Sequence, residues 1–404
     1  MSVGIITVGN ELLTGFIDDT NAAWLGRELT RIGLAPVWHL TIGDQAGAIR
    51  SALESIPDNT DEVIFTGGLG PTHDDITLRT ISDYYNINLE FDELYWQELR
   101  VRFKRAGRVI PEINRNQAVL PQGQTIIPNP IGSARGAIIT KAQKRLFILP
   151  GVPPEMKAMY SETVLPLIKP ALPSAIVEVI RTTGIMESAL AEKMGQIHNQ
   201  FPTVTMAYLP RIIGVDIRLI GSDYGAVNKL KSHIQALVGK YIYGYGTTGL
   251  EEVVGKILTD RGLTIATAES CTGGLIGHRL TEVPGSSNYL LGGIIAYSNA
   301  VKSEILGVKE ETLIKYGAVS EETAIEMAVG VRNCLNSDIG VSTTGIAGPG
   351  GGTATKPVGL VYGGFASDQS VSVRKFRFHF NRKMNKRLSS QVALNMIRLE
   401  LENA

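Results

Sequence analysis

Ser270 closes the apolar stretch Leu263–Ala268 and is followed by Cys271-Thr272-Gly273-Gly274. A serine attacks a carbonyl only when a base takes its proton. No histidine is near it in sequence: the six are His39, His73, His198, His233, His278 and His379. Lys302, just after the apolar segment Gly292–Tyr297, is the candidate base, because burial lowers a lysine pKa. Ser270 is expected to begin a helix, whose N-terminal N–H groups would stabilise a developing anion. Thr343-Thr344-Gly345 ends another apolar stretch and could reach the same edge. The loop Gly348-Pro349-Gly350-Gly351-Gly352-Thr353 offers N–H groups to a phosphate or oxyanion. Each piece alone has a plainer reading: Ser270 as an N-cap, Cys271 as a small core residue, Lys302 as a solvated surface lysine. Together, at three strand ends of one small domain, they favour a site.

A second group is Thr66-Gly67-Gly68-Leu69-Gly70-Pro71-Thr72-His73-Asp74-Asp75. Glycines let backbone approach a ligand closely, and N–H groups at a following helix favour phosphate. Asp74 and Asp75 are expected at that helix start, as caps or as holders of a divalent cation bridging phosphate oxygens. Glu11, Asp18, Asp19 and Asn21 follow the first apolar strand and would lie at the same edge. His73 reads as a turn residue.

The elements that must position these groups alternate. Val3–Val8, Ala35–Leu40, Glu62–Thr66 and Arg145–Pro150 read as strands, with helices over Asp19–Ile32 and Ala46–Ile56 between the first three. Such alternation predicts a parallel sheet covered on both faces, with ligands at the carboxyl ends of its strands. Pro166, Pro170 and Pro173 mark a boundary. Residues 175–246 read as a small α+β unit without a chemical cluster. Gly244, Gly246 and Gly249 mark the next boundary, before a second α/β stretch over 249–404. There a helix spans Glu251–Arg261, another Ser320–Cys334, and a last one Met384–Leu401.

The chain has 404 residues, 39 Lys+Arg and 39 Asp+Glu, so its formal charge is zero. That balance argues against a broadly basic nucleic-acid binder. Two cysteines, Cys271 and Cys334, make neither a disulfide framework nor a zinc site, which fits a reducing cytoplasm. No apolar run reaches the ~18 residues of a membrane span, and the N-terminus reads as a core strand.

The motifs Gly9-Asn10-Glu11-Leu12-Leu13, Gly67–Thr72 with Asp74-Asp75, and Pro150–Pro153 with Glu155-Met156 resemble the CinA family. Ala268–Gly274, Ala296-Tyr297-Ser298-Asn299 with Lys302, Gly317–Ser320, and Thr344–Gly351 resemble its C-terminal half, the nicotinamide-nucleotide amidohydrolases. The resemblance covers the whole chain. It implies an α/β, three-domain chain: a molybdopterin-binding-like α/β domain (1–170), a small KH-type α+β middle domain (175–246) and an α/β C-terminal amidohydrolase domain (249–404). The middle unit has no GxxG loop, so RNA binding is not implied. For the third domain the resemblance implies conversion of nicotinamide mononucleotide to nicotinate mononucleotide and ammonia, without a cofactor. Ser270 would be nucleophile or water-orienting hydroxyl and Lys302 its base. Tyr297 would line the pyridine pocket and Thr344 would hold the carboxamide. Gly273, Gly274, Gly345, Gly348, Gly350 and Gly351 would line the substrate. The family's Gly-Asp-Arg segment before the last helix is here Phe380-Asn381-Arg382, without the Gly-Asp pair. Arg382 is the match for the phosphate-binding arginine, with Arg387 as the alternative. For the first domain the resemblance implies hydrolysis of ADP-ribose with a divalent metal (Mg, Mn or Co); Glu11, Asp18, Asp74 and Asp75 are the candidate metal ligands, and Gly67, Gly68, Gly70, Thr72 and Asn21 the candidate substrate contacts. A homodimer is implied as well. The competing reading is a non-catalytic accessory protein that holds a pterin or nucleotide without turnover.

Overall fold

The computed structural model describes residues 1–141, 143–169 and 176–402. It forms two compact units, one over residues 1–177 with 220–222, the other over 178–219 and 223–404. The first unit is built on a six-stranded sheet. In spatial order its strands are Trp38–Ile42, Val3–Val8, Glu62–Thr66, Lys144–Leu149, Gly136–Lys141 and Thr125–Ile127. The first four are parallel, and Gly136–Lys141 pairs antiparallel with both of its neighbours, so the sheet is mixed, not wholly parallel. Two residues separate Lys141 from Lys144, too few for the crossover a parallel pair needs. Val3–Val8 and Glu62–Thr66 are buried at every position, the pattern of strands covered on both faces. Apolar clusters lie on each side, one around Ile6, Ile49 and Phe65, the other around Ile5, Leu25 and Tyr160.

In the second unit the C-terminal sheet runs Leu290–Ile295, Ile265–Glu269, Ile339–Gly345, Leu360–Ala366, Val371–Arg377. The first three are parallel, and Leu360–Ala366 pairs antiparallel with both of its neighbours. The neighbours Ile265–Glu269 and Ile339–Gly345 are in a register that sets Glu269 opposite Thr343. This brings Ser270 and Thr344 to one sheet edge.

The middle α+β domain and the C-terminal domain belong to one compact unit. The last helix, Arg382–Glu402, joins them. Its Arg398, 1% exposed, donates to the carbonyls of Lys240 and Ile242, and Gln391 donates to Thr183. Of the three boundary prolines, Pro166 lies inside the helical turn Leu165–Ile168, while Pro170 and Pro173 lie outside the described residues.

Candidate active site

Ser270 leaves the sheet just past Glu269, and its N–H donates to the carbonyl of Thr343 (2.9 Å). The next helix does not start there. It spans Leu275–Thr281, with Gly274 as its N-cap. Two of its first amides, Ile276 and Gly277, donate to the buried carboxylate of Glu269 at 3.0 and 2.8 Å. The expected anion hole at that helix N-terminus is therefore filled by the protein itself. The N–H groups of Thr272 and Gly274, in the turn between, donate to nothing among the described residues. Those are the backbone donors beside Ser270 that an oxyanion can use.

Lys302 lies on a π-helical turn, Val301–Ile305, that follows the edge strand. Such turns recur at functional sites because they re-aim a side chain. Lys302 is 1% exposed, not the solvated lysine its sequence context alone favours. Its Nζ donates to the carbonyl of Ala296 (2.7 Å) and to Ser270 Oγ (3.3 Å). Burial without a facing carboxylate holds its pKa below the ordinary lysine value. Neighbouring Cys271 is also buried, and desolvation pushes its thiol up to about 12. A thiol so hard to ionise is no nucleophile.

Thr344 is buried, and its hydroxyl donates to the carbonyl of Ala318 (2.5 Å). With its proton committed, its oxygen can only accept. Gly345 is required by packing: a Cβ there would stand 2.6 Å from the carbonyl oxygen of Leu360. Tyr297 is largely exposed, and its hydroxyl accepts from Arg382 (2.8 Å). The other guanidinium nitrogen of Arg382 donates to the carbonyl of Gly348 (2.7 Å). Arg382 thus links the tyrosine to the glycine loop that contains Gly350 and Gly351. Arg387 stands elsewhere, on a cavity with Arg181, Glu251 and Arg279.

Two residues here escaped the sequence reading. Lys386 carries its Nζ to Gly273, where a Cβ would sit 3.3 Å from it. Asn385, fully buried, donates to the carbonyls of Ala347 and Phe380 at 3.0 and 2.9 Å and accepts from Phe380 N–H. The available signal was the spacing Arg382, Lys386: four residues apart on a helix, hence one face.

In the first unit the residues divide between two cavities. One, about 320 Å³, is lined by Gly68, Gly70, Thr72, Asp75 and Arg135 among others. The other, about 150 Å³, holds Glu11, Asp18, Asp19, Asn21 and Thr66. Gly67 has φ +115°, and a Cβ there would lie 2.1 Å from the carbonyl oxygen of Val8, so only glycine fits. The helix after the loop begins at Thr77, two residues beyond Asp75. Asp75 instead accepts from Thr72, both N–H (2.8 Å) and hydroxyl (2.6 Å), and so braces its own loop. Exposed Asp74 faces His73 at 3.2 Å. Asp19 caps the helix Thr20–Arg31 through Ala22 N–H. Asn21 donates to Thr66 (3.1 Å) and to the Gly151 carbonyl (2.7 Å), leaving its own buried oxygen without a partner.

The four carboxylates named from the sequence are not gathered at one point: Glu11 and Asp18 share one cavity, while Asp75 lines the other. Among the described residues no three His, Cys, Asp or Glu side chains form a metal group. A Mg²⁺-type ion needs only one or two carboxylates when substrate phosphates supply the remaining oxygens. The unpartnered oxygen of Asn21 beside Glu11 and Asp18 fits that donor chemistry, and Asp74 and Asp75 do not share it.

Three family models match the chain. They describe a probable molybdopterin binding domain (residues 4–170), a damage-inducible protein CinA KH domain (178–244) and a CinA C-terminal domain (247–401). A CinA-like protein of Chloroherpeton thalassium is 43% identical over 420 residues, covering 100% of both chains. A CinA-like protein of Salinibacter ruber is 42% identical, covering 99% of this chain and 100% of that one. Among solved structures, the competence/damage inducible protein CihA of Agrobacterium tumefaciens is 42% identical over 38% of this chain and 97% of its own, with a TM-score of 0.37. With relatives of that identity along its whole length, the chain belongs to the CinA family.

Proposed function

We propose that the chain is a two-site pyridine-nucleotide hydrolase, and that its C-terminal site hydrolyses the carboxamide of nicotinamide mononucleotide. The observation that carries this reading is the buried Lys302 amine 3.3 Å from Ser270 Oγ. A desolvated lysine is a base at moderate pH, and a serine with a base is a nucleophile. Neutral Lys302 takes the Ser270 proton as Oγ adds to the carboxamide carbon. The oxyanion meets the N–H groups of Thr272 and Gly274. Lys302 returns the proton to nitrogen, the C–N bond breaks, and ammonia leaves. Water, deprotonated by the same lysine, then splits the ester to nicotinate mononucleotide and restores Ser270. Thr344, able only to accept, takes an N–H of the carboxamide and orients it. Arg382 and Lys386 supply positive charge for the substrate phosphate.

At the N-terminal site the proposed reaction is hydrolysis of ADP-ribose to AMP and ribose 5-phosphate. A divalent cation bound with the substrate would neutralise diphosphate charge. Glu11, Asp18 and Asn21 are the residues that would hold it. A homodimer in solution is part of the same proposal, and a light-scattering mass tests it.

The test is ammonia release from nicotinamide mononucleotide beside AMP release from ADP-ribose. Ser270→Ala should lower the first by about 10³-fold or more and leave the second intact. A parallel fall in both would overturn the two-site assignment. Chelation should silence only AMP release. ADP-ribose bound but never cleaved, with metal present, would favour the accessory-protein reading for that domain.

A further inference from the structure

Arg279 stands near the end of the helix Leu275–Thr281, whose N-cap is Gly274, and its side chain is 13% exposed. All three of its nitrogens are committed. Nε and Nη2 donate to Glu251, on the helix Leu250–Arg261, at 3.2 and 2.6 Å. Nη1 donates to Ser390 Oγ (3.1 Å), and Nη2 also to Gln391 Oε1 (2.8 Å), both on the last helix, Arg382–Glu402. Gln391 in turn donates through Nε2 to Thr183 Oγ1 (3.2 Å) in the middle α+β domain.

Glu251 alone balances the charge of Arg279, so the bonds to Ser390 and Gln391 do something other than neutralise it. Both partners are buried, at a place in the helix where apolar side chains of the right volume would pack as well. What hydrogen bonds add to packing is direction, and a planar guanidinium held at all its nitrogens fixes the helices it joins in distance and angle. Two of those helices meet at the candidate site. Ser390 follows Lys386 by four residues, so the two share one face of the last helix. The Lys386 amine stands at Gly273, in the turn that leads into the helix of Arg279. The buried Arg279–Ser390 bond and the approach of Lys386 to exposed Gly273 therefore join the same two segments of chain about one helical turn apart.

We infer that Arg279 is a positioning residue for the C-terminal site. It holds Lys386 against the Gly273 turn, where the amine meets the substrate phosphate, and the middle domain, through Thr183 and Gln391, holds Arg279 in that pose. The inference rests on the proposed nicotinamide mononucleotide chemistry, but it concerns the placement of Lys386 and not the bond-breaking at Ser270.

Steady-state kinetics of the full chain with nicotinamide mononucleotide test it. Arg279→Lys keeps a cation for Glu251 but has no fork, so it should raise KM about 10-fold with kcat within about twofold of wild type, as loss of uniform binding does. In the chain that also carries Lys386→Ala the effects should not multiply: KM should stay near that of Lys386→Ala alone, because Arg279 acts through that amine. Gln391→Met keeps the volume and the Glu251 pair, and should raise KM about 3-fold, again only while Lys386 is present. The Gln391→Met cycle decides the matter if Arg279→Lys does not fold. A merely structural role would lower the unfolding temperature without any dependence of KM on Lys386. Effects that multiply in the double variants, or a fall in kcat at unchanged KM, would overturn the assignment. If the wild type releases no ammonia, calorimetric Kd values for nicotinamide mononucleotide carry the same cycles. Values that fail to multiply would keep the assignment while the amidohydrolase reading falls; values that multiply, or a wild type that does not bind, would overturn it.

Discussion

Lys302 carries opposed demands on one nitrogen. To act as a base it must be uncharged, and burial achieves this by making its charged form expensive. Its folded pKa lies below the unfolded value, so between the two the unfolded chain binds more protons. Stability therefore rises with pH across that window and is reduced at neutral pH. The activity should follow the same group. The ammonia-releasing rate should climb with pH as Lys302 loses its proton, with a midpoint below the ordinary lysine range. A midpoint at or above that range would remove Lys302 from the base role. Lys302→Met should abolish ammonia release yet raise the unfolding free energy of the C-terminal unit by about 1 kcal/mol at pH 7, because a desolvated charge is gone. A variant that loses both activity and stability would mean that the Ala296 and Ser270 contacts outweigh the desolvation cost. Lys386 is a milder case. Its amine stands at Gly273, so Lys386→Ala should raise KM for nicotinamide mononucleotide about 10-fold with little change in kcat, as loss of uniform phosphate binding does.

The elements around these residues were legible to different degrees. Strands buried on both faces, such as Val3–Val8 and Glu62–Thr66, announce themselves as continuous apolar runs. The helix Tyr224–Val238 matches its apolar period, and Ser320 caps the helix Glu321–Leu335 through Thr323 N–H as the Ser/Glu start indicates. The glycine motifs located both sheet edges. What was not legible depends on contacts distant in sequence. Nothing local reveals that Glu269 caps the helix seven residues on and so removes its amides from catalysis. Asp75 is a different case: its turn back to Thr72 spans only three residues, and reading it as a helix cap passed over that loop contact. Asn385 is the strongest instance: a polar residue in the apolar-patterned last helix, it binds the start of the helix to the glycine loop through Ala347. Replacing it with Ala leaves two carbonyls and an N–H without their partner. Asn385→Ala should cost about 2–3 kcal/mol in stability and raise KM by loosening the Gly348–Gly352 loop. Chemical denaturation with steady-state kinetics checks both. A stable variant with altered kcat alone would mean the loop is held by other contacts.

At the scale of the molecule, 39 positive and 39 negative side chains give a formal net charge of zero. No helix among the described residues is long and apolar enough to cross a membrane. The chain presents instead two compact units, each with its own buried clusters and its own candidate site. Units with separate cores unfold as separate cooperative transitions, and a ligand stabilises only the unit it binds. Calorimetric scans should accordingly resolve two transitions. In the Ser270→Ala chain, expected to turn the substrate over only slowly, nicotinamide mononucleotide at about 100 times its Kd should contribute roughly 2.7 kcal/mol. For units of this size that moves one transition up by roughly 5–10 °C and leaves the other in place. ADP-ribose, with divalent metal chelated, should move the other transition alone. The middle α+β domain shares a unit with the C-terminal domain through Arg398 and Gln391, so its melting should follow the nicotinamide-nucleotide-sensitive transition. If either ligand shifts both transitions, the two sites are energetically coupled, and the chain is better described as one enzyme with two linked sites than as two enzymes on one strand of peptide.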